Sequence, residues 1–173
     1  MGNRNRKYKI VAVSGGMDPI HIGHVRLIQS AKKLGDKLVV ILNNDNWLKK
    51  KKTHIFMHQK ERKEILESIE GVGEVILTSH KPNPEDMSVS KELAKIKPNI
   101  FAKGRNGRKE EEIPEAEICK KIGCKILFNV GRGGKIQSSS RLLAEYVEKL
   151  KPARKLDVKK HWMSLKPYLQ DQK

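Results

Sequence analysis

Residues 8–24 read YKIVAVSGGMDPIHIGH, and this stretch decides the fold. Its first seven residues form an apolar, β-branched run that stops at Gly15 and Gly16, a pattern that predicts a buried strand ending in a turn. Apolar residues then recur at helical spacing from Ile22 to Leu34, and Gly35 follows them, which predicts a helix. A strand joined to a helix through a glycine turn is a typical opening of an α/β fold.

The same alternation continues along the chain. Strands are predicted at residues 37–42, 74–77, 99–102 and 125–130, and helices at residues 58–69, 88–96, 114–122 and 138–150. Alternating strands and helices form right-handed crossovers and a mostly parallel sheet that is covered on both faces. We therefore predict a Rossmann-like, doubly wound α/β domain of about five strands over residues 1–150, followed by a basic C-terminal extension over residues 151–173.

The composition indicates a protein that does not enter membranes. The chain has 173 residues and 37% hydrophobic content, enough for one domain with a core. No apolar run reaches the roughly 18 residues of a membrane span, and the N-terminal residues lack the apolar stretch of a signal peptide. We expect a cytoplasmic protein with no membrane partner. Cys119 and Cys124 are too few for a disulfide framework and are expected to be free thiols.

The net charge of +17 predicts a polyanionic partner or a highly solvated surface. Nucleoside triphosphates, phosphorylated metabolites and nucleic acids all fit. The positive charge is concentrated in the N-terminal arm, in residues 49–52 and in the tail, where charge can also serve solubility alone. Aromatic residues make up only 5% of the chain, which is low for stacking-based RNA recognition. Nucleic-acid binding is therefore the less favoured alternative.

Residues 14–24 also predict a phosphate site. Gly15 and Gly16 allow backbone amides to approach phosphate oxygens, and the helix that follows adds the positive end of its dipole. His21 and His24 share a helix face that leans toward the N-terminus, so both rings are expected to face a bound phosphate. Neither GxGxxG nor GxxxxGK[ST] occurs in the chain. The simpler alternative is that His21 is a helix cap and His24 a surface residue.

A second phosphate site is predicted at residues 131–141, GRGGKIQSSSR, which again lie between a strand and a helix. Three hydroxyl groups and free backbone amides at a helix start, with Arg141 in the first turn, favour an anion. The simpler alternative is that a single serine caps the helix.

These two segments resemble motifs of the cytidylyltransferase-like nucleotidyltransferase superfamily. Residues 14–24 resemble its strand, glycine-rich turn and HxGH motif, and residues 138–141 look like its ISTS or SSS-x-R element, which holds the β- and γ-phosphates. Residues 103–106, KGRN, resemble the KGGD or GDD element beside the nucleobase in heptose-phosphate adenylyltransferases and glycerol-phosphate cytidylyltransferases. Arg105 and Asn106 depart from that pattern, which leaves the base and the acceptor open.

Two further segments support the resemblance. Residues 43–52, NNDNWLKKKK, resemble the family's NSD strand end followed by a lysine that meets the substrate phosphate, and residues 57–62, MHQKER, resemble its MxxxER element. Which of the four lysines meets phosphate is left open, because a lysine run is often only a solvated loop.

The resemblance implies transfer of a nucleoside monophosphate from a nucleoside triphosphate to a phosphorylated small molecule, with release of pyrophosphate. The sequence leans slightly toward CTP and a polyol, sugar or alcohol phosphate, and the alternative is ATP with a sugar phosphate such as a heptose phosphate. Mg²⁺ is expected to bridge the triphosphate oxygens, with Asp18 as its carboxylate. Many relatives are dimers, so a homodimer is expected by analogy.

The candidate residues fall into groups by expected role. The groups that stabilise charge in the reaction are His21, His24, Lys49 and Arg141. The expected nucleotide-binding residues are Ser14, Gly15, Gly16, Met17, Asp18, Gly23, Lys103, Gly104, Arg105, Asn106, Gln137, Ser138, Ser139 and Ser140. The expected acceptor-binding residues are Asn43, Asp45, Lys52 and Arg62.

Overall fold

A computed structural model describes residues 8–104, 113–131 and 137–150. Contacts within the chain divide it into two compact units, Met1–Ser139 and Ser140–Lys173. The first unit holds the sheet and the histidine segment, and the second begins one residue into the last described helix. The prediction of one domain over residues 1–150 stays a prediction.

Five parallel strands form the sheet of the first unit. They are β1 (Ile10–Gly15), β2 (Lys37–Leu42), β3 (Glu74–Leu77), β4 (Ile100–Ala102) and β5 (Lys125–Leu127). The order across the sheet is β3-β2-β1-β4-β5, so β1 is central. Val13 pairs with Val40, and Val11 pairs with Ile100. The order reverses at β1, and in open α/β sheets the ligand binds at this point, outside the carboxyl ends of the strands.

Within the described ranges, six helices connect or follow the strands. They are α1 (Ile22–Lys32), α2 (Asp45–Lys52), α3 (Gln59–Glu67), α4 (Ser90–Ile96), α5 (Ala116–Ile122) and α6 (Ser139–Leu150). No helix of the described residues is both long and apolar enough to span a membrane. Cys119 and Cys124 are buried thiols that form no disulfide bond.

Helices α1 and α3 pack on one face of the sheet and α4 and α5 on the other, and they bury two apolar clusters. One cluster includes Val11, Ile28 and Leu66, and so joins the sheet to α1 and α3. The other includes Ala12, Leu93 and Phe101, and joins it to α4. Val11 and Ala12 point to opposite faces because side chains alternate along a strand. This confirms the predicted Rossmann-like, doubly wound fold.

Helix α2 was not predicted from the sequence, because the lysine run of residues 49–52 was interpreted as a solvated loop. Asn44, the residue before the helix, is its N-cap, and the Asn44 side chain accepts a hydrogen bond from the backbone N–H of Trp47. Asp45 lies in the first turn and four lysines lie in the last turn. Both charges complement the helix dipole, so the capping residue and the charge order were sequence signals for this helix.

Candidate active site

Residues 14–24, here called the histidine turn, run from the carboxyl end of β1 into α1. Ser14 and Gly15 are the last residues of β1, and Met17 has a left-handed backbone with φ of 48°. A Cβ atom on Gly16 would lie 2.8 Å from Cδ2 of Leu48 and 3.3 Å from the ring of Trp47. Gly16 is therefore required because α2 packs directly on the turn.

His21 and His24 form a stacked pair at the start of α1. Their ring centroids are 3.8 Å apart. The backbone N–H of Gly23 donates to Nδ1 of His21 at 3.0 Å, and the backbone N–H of His21 donates to Nδ1 of His24 at 3.3 Å. The two imidazoles thus form a reciprocal capping box. His21 is a helix cap, as the simpler alternative held, and His24 is a half-buried second member of the same cap.

The surroundings of both imidazoles favour the neutral form. Burial lowers the pKa of His24 to about 3, and the neighbouring His21 and Lys52 add to the effect. Burial and Lys52 also lower the pKa of His21. Because Nδ1 of each ring accepts a backbone hydrogen bond, the proton of the neutral ring lies on Nε2. Each histidine therefore offers one N–H donor on the side of the ring away from the cap.

Gly23 is required by the same capping geometry. A Cβ atom at this position would lie 2.8 Å from Cε1 and 2.9 Å from Nδ1 of His21. The carbonyl oxygen of Gln137 lies on the same side, 3.7 Å from that Cβ position. Any larger residue would displace the His21 ring, so the glycine between the histidines keeps their stack in place.

Lys52 is the member of the lysine run that lies beside the histidines. Its Nζ atom donates to the backbone carbonyl of Asp18 at 2.6 Å, and its charge lowers the pKa of both imidazoles. Burial lowers the pKa of Lys52 itself. Lys49 is exposed, and Lys50 donates to Asn83. Lys52 is therefore the lysine of this run that lies beside the imidazoles, whereas Lys49, which the sequence placed among the charge-stabilising residues, is exposed. A phosphate contact by either lysine stays a prediction.

Asp18 is a structural anchor within the turn. Its side chain is fully buried, and its two carboxylate oxygens accept backbone hydrogen bonds from Phe56 at 2.9 Å and Met57 at 2.7 Å. These bonds tie the segment after α2 to the histidine turn. Because both oxygens already have donors, metal binding by Asp18 stays a prediction without support from this geometry.

Arg62 is the centre of a buried group that we call the Arg62 brace. Its side chain is fully buried and donates to the backbone carbonyls of Gly16, Asn43 and Met57. It also forms an ion pair with Asp45 at 2.7 Å. All of these partners belong to the chain itself, so Arg62 positions the site from within. Direct contact of Arg62 or Asp45 with the acceptor stays a prediction.

Asn43 differs from the other members of this group. It lies immediately after β2, its backbone N–H donates to the carbonyl of Gly15, and the residue is 5% exposed. Within the described part of the chain, one buried side-chain polar atom has no hydrogen-bond partner, and it is Oδ1 of Asn43. A buried acceptor without a donor costs about 1–3 kcal/mol, so such an atom at a strand end is a candidate ligand contact.

Residues 137–139, here called the serine segment, lie against the histidine turn. The Ser139 hydroxyl donates to the backbone carbonyl of Pro19 at 2.9 Å, two residues before His21. Ser138 donates its backbone N–H to the side chain of Gln137. The first unit thus brings Ser139 to Pro19 and the carbonyl of Gln137 near Gly23, and phosphate binding by residues 137–139 stays a prediction. Ser140 and Arg141 belong to the second unit, where Arg141 pairs with Glu145 at 2.6 Å.

The end of β4 also reaches α1. A Cβ atom on Gly104 would lie 3.7 Å from the side chain of Leu27. Lys103 forms an ion pair with the buried Glu115 at 3.3 Å, and its Nζ atom lies 4.6 Å from the centre of the Phe101 ring. Lys103 is thus paired inside the chain, and nucleotide binding by it stays a prediction. Arg105 and Asn106 lie outside the described residues.

Comparison with known proteins identifies the family of this chain. The cytidylyltransferase-like family matches residues 12–127. FAD synthase of Ferroglobus placidus is 36% identical over 113 residues, which cover 65% of this chain and 70% of that protein. FAD synthase of Thermococcus sibiricus is 33% identical over 118 residues, 67% of this chain and 76% of that protein.

A larger relative and a solved structure complete the comparison. Bifunctional protein HldE of Methylobacillus flagellatus is 29% identical over 143 residues, 82% of this chain but 28% of that protein, so this chain spans about a quarter of HldE. The crystal structure of a lipopolysaccharide core biosynthesis protein from Thermoplasma volcanium has a TM-score of 0.58 and 25% identity, and covers 73% of this chain and 99% of its own. The strand order, the histidine turn and these relatives lead to one conclusion: the chain belongs to the cytidylyltransferase-like family of nucleotidyltransferases.

Proposed function

We propose that this chain transfers AMP from ATP to the phosphate group of a small molecule, with pyrophosphate as the leaving group. An oxygen of the acceptor phosphate attacks the α-phosphorus of the nucleotide, and the bond from that phosphorus to the oxygen bridging to the β-phosphate breaks. The attacking phosphate is already an anion, so no protein nucleophile is needed. The enzyme's task is then to position the groups and stabilise charge.

The observation that carries the proposal is the stacked, neutral His21–His24 pair at the start of α1. Negative charge accumulates on the oxygens around phosphorus in the transition state, and donors already in place stabilise it without reorganisation. Each ring presents an Nε2–H donor, the helix N-terminus adds its dipole, and Lys52 supplies a full positive charge nearby. We assign the charge-stabilising role to these three residues.

The pyrophosphate is assigned to the serine segment. Ser138 and Ser139 lie at the start of α6, where backbone amides without helical partners favour an anion. The bond from Ser139 to Pro19 links this helix start to the histidine turn and supports the assignment. Ser140 and Arg141 are assigned to the same group from the sequence motif.

A divalent cation is expected as part of the substrate. The described residues contain no group of three or more His, Cys, Asp or Glu side chains that could hold a metal ion. Mg²⁺ retains most of its waters and binds readily to triphosphate oxygens, where it offsets phosphate charge. We therefore expect it to arrive bound to the nucleotide, with the chain's own donors completing the stabilisation.

The relatives favour ATP over CTP. FAD contains an adenosine monophosphate unit, and several FAD synthases are among the relatives of this chain. The sequence alone leaned slightly toward CTP, and CMP transfer to a polyol, sugar or alcohol phosphate remains the second candidate. A homodimer also remains a prediction, which sedimentation of the purified protein would test.

The test is a pyrophosphate-release assay. The purified protein is mixed with Mg²⁺, each of the four nucleoside triphosphates and a panel of phosphorylated acceptors that includes FMN, glycerol 3-phosphate and sugar phosphates. We expect release with ATP and one acceptor class. Because one preorganised donor is worth about 3–4 kcal/mol, His21→Ala and His24→Ala should each lower kcat by about a hundredfold or more.

His54→Ala is the matched control, because His54 is exposed and lies outside the histidine turn. It should retain the parent's turnover. Faster release with CTP than with ATP would favour the second candidate. Parental activity in both histidine variants would contradict the mechanism. RNA binding with a steep salt dependence and no pyrophosphate release would favour the nucleic-acid alternative.

A further inference from the structure

The last turn of α2 carries more positive charge than the proposed mechanism uses. Lys52 lies at the histidine turn, and Lys49, Lys50 and Lys51 precede it on the same helix. The side chains of these three residues are exposed, and we call them the lysine surface. The sequence left open whether the run is only solvated or meets phosphate. Because Lys52 alone of the four is half-buried, the lysine surface needs an explanation of its own.

The lysine surface lies close to the site because of the geometry of the helix. Leu48 is buried and Lys52 is half-buried, so these two residues, four apart, share the inward side of α2. The three lysines between them are exposed. A helix rises about 1.5 Å per residue, so each of the three lies within about 5 Å of Lys52 along the helix axis. This is shorter than the Debye length of about 8 Å at physiological ionic strength, so their charges act on the approach to the histidine turn.

The charge of the lysine surface is not offset within the described part of the chain. None of its members forms an ion pair with another described residue, and Lys50 donates to the neutral side chain of Asn83 at 2.6 Å. Asp45, the acidic residue of α2, is already paired with the buried Arg62. Helix α3, which follows, carries three basic and three acidic side chains and adds no net charge.

At the histidine turn itself the charges are closer to balance. Burial lowers the pKa of Lys52, and the fully buried carboxylate of Asp18 acts in the opposite direction. The charges of these two residues offset each other at longer range, and imidazoles in the neutral form add none. The positive field that an anion meets on its approach therefore comes from the lysine surface.

A nucleoside triphosphate is the anion that fits this surface best. It carries several negative charges, and its proposed site lies one helical turn away. A row of like charges beside such a site raises the association rate of an opposite charge by about 10–10³-fold. A nucleic acid fits less well, because its affinity grows with the number of phosphates that are neutralised, and the lysine surface offers three cations on a single turn.

We propose that the lysine surface steers the incoming nucleoside triphosphate toward the histidine turn and sets its association rate, without contacting it in the bound state. This inference rests on the proposed function and adds the route by which the nucleotide arrives. Steering acts through charge at a distance, so it does not depend on the kind of basic side chain, and salt removes it. It changes the association rate constant kon and leaves the dissociation rate constant unchanged.

The test measures kon for ATP and CTP that carry a fluorescent methylanthraniloyl group, by stopped-flow mixing with Mg²⁺ at several salt concentrations. Replacing Lys49, Lys50 and Lys51 together by glutamine removes the charge and keeps a good helix former. This glutamine variant should lower kon about tenfold in dilute salt. The difference from the parent should disappear in about 1 M NaCl, where the Debye length is about 3 Å.

Two control variants separate steering from net charge and from direct contact. Arginine at the same three positions keeps the charge and should keep the parent's kon. Glutamine in place of Lys120, Lys121 and Lys125 removes the same charge from exposed positions of α5 and β5, and should also keep it. Lys125 is level with Val11, four residues or about 13 Å before Gly15, so these charges lie beyond one Debye length from the turn.

Three results would overturn the inference. The first is an equal kon in dilute salt for the glutamine variants of the lysine surface and of α5 and β5. The second is a loss of kon that persists in concentrated salt or comes with faster dissociation, since either indicates direct contact. The third is an unchanged nucleotide kon together with lost binding of a labelled single-stranded RNA, which would assign the surface to a nucleic acid.

Nucleotide association does not require turnover, so the inference and the proposed function can fail separately. Salt-dependent association that is lost in the glutamine variant supports the inference even where no acceptor gives pyrophosphate release. The absence of release would then contradict the proposed function alone. No binding of either labelled nucleotide by the parent would overturn both.

Discussion

The histidine turn and the Arg62 brace are in direct contact, yet they use their polar groups in opposite ways. Arg62 is fully buried and donates to three backbone carbonyls and one carboxylate. In each histidine, Nδ1 accepts a backbone hydrogen bond of the helix cap, and Nε2 remains as a donor. Both belong to segments that resemble motifs of the family. A residue in such a motif can therefore support the fold of the site, and its hydrogen-bond partners distinguish it from a residue that is available to a ligand.

The largest expected effect is the loss of unfolding free energy when the Arg62 brace is removed. Arg62→Ala leaves Oδ1 of Asp45 and three carbonyl oxygens without the Arg62 donor, while Oδ2 of Asp45 keeps His58. Breaking an ion pair whose guanidinium is fully buried costs about 3–5 kcal/mol of unfolding free energy. Urea denaturation of the parent and the variant measures this difference. Lys63→Ala is the control, since the half-exposed Lys63 side chain forms an ion pair with Glu67 on the same helix. A change below about 1 kcal/mol in Arg62→Ala would show that the brace is not structural.

A smaller effect is expected from pH, through the burial of His24. Its folded pKa of about 3 lies below the ordinary value of 6.5, so the unfolded chain binds more protons between these two values. The contribution of His24 to stability is therefore complete above pH 6.5 and is lost as the pH falls toward 3. The slope for this residue is up to about 1.4 kcal/mol per pH unit.

Urea denaturation at pH 7, 6 and 5 tests this in the parent and in His24→Asn. Asparagine keeps an acceptor for the backbone N–H of His21 but does not titrate in this range. The difference in unfolding free energy between the two proteins should shrink as the pH is lowered. Parallel pH profiles would contradict the burial of a neutral His24.

The smallest effect separates two lysines of α2. Lys52→Met should lower kcat about tenfold, because a hydrogen bond to a charged group is worth about 1.5–3 kcal/mol and Lys52 lies beside the histidines. Lys49→Met, at an exposed position on the same helix, should retain parental turnover. The pyrophosphate assay measures both. A larger loss in Lys49→Met would restore the original assignment from sequence.

The sequence predicted the fold well because hydrophobic periodicity is local. Each strand of the sheet lies within or near its predicted range, and Gly16, directly after β1, marks the turn on which α2 packs. The convergence of the histidines with the start of the serine segment was also predicted, because both follow strands that end at the same sheet edge.

The sequence did not distinguish residues that support the fold of the site from residues that are available to a ligand. Arg62 and Asp18 were expected to contact ligands, but their charges are satisfied by backbone groups 5 to 46 residues away along the chain. Lys49 and Lys52 are indistinguishable in a run of four lysines, and only the rotation of α2 turns one of them toward the histidines.

The sequence by itself determined the alternation of strands and helices, the glycine turn and the pair of histidines, since these depend on neighbours a few residues apart. The tertiary structure decided which charged side chains remain available to a ligand. Hydrogen-bond partners and burial set that availability, and they come from segments that meet only after the chain has folded. Two residues with the same chemistry can therefore have different roles in one site.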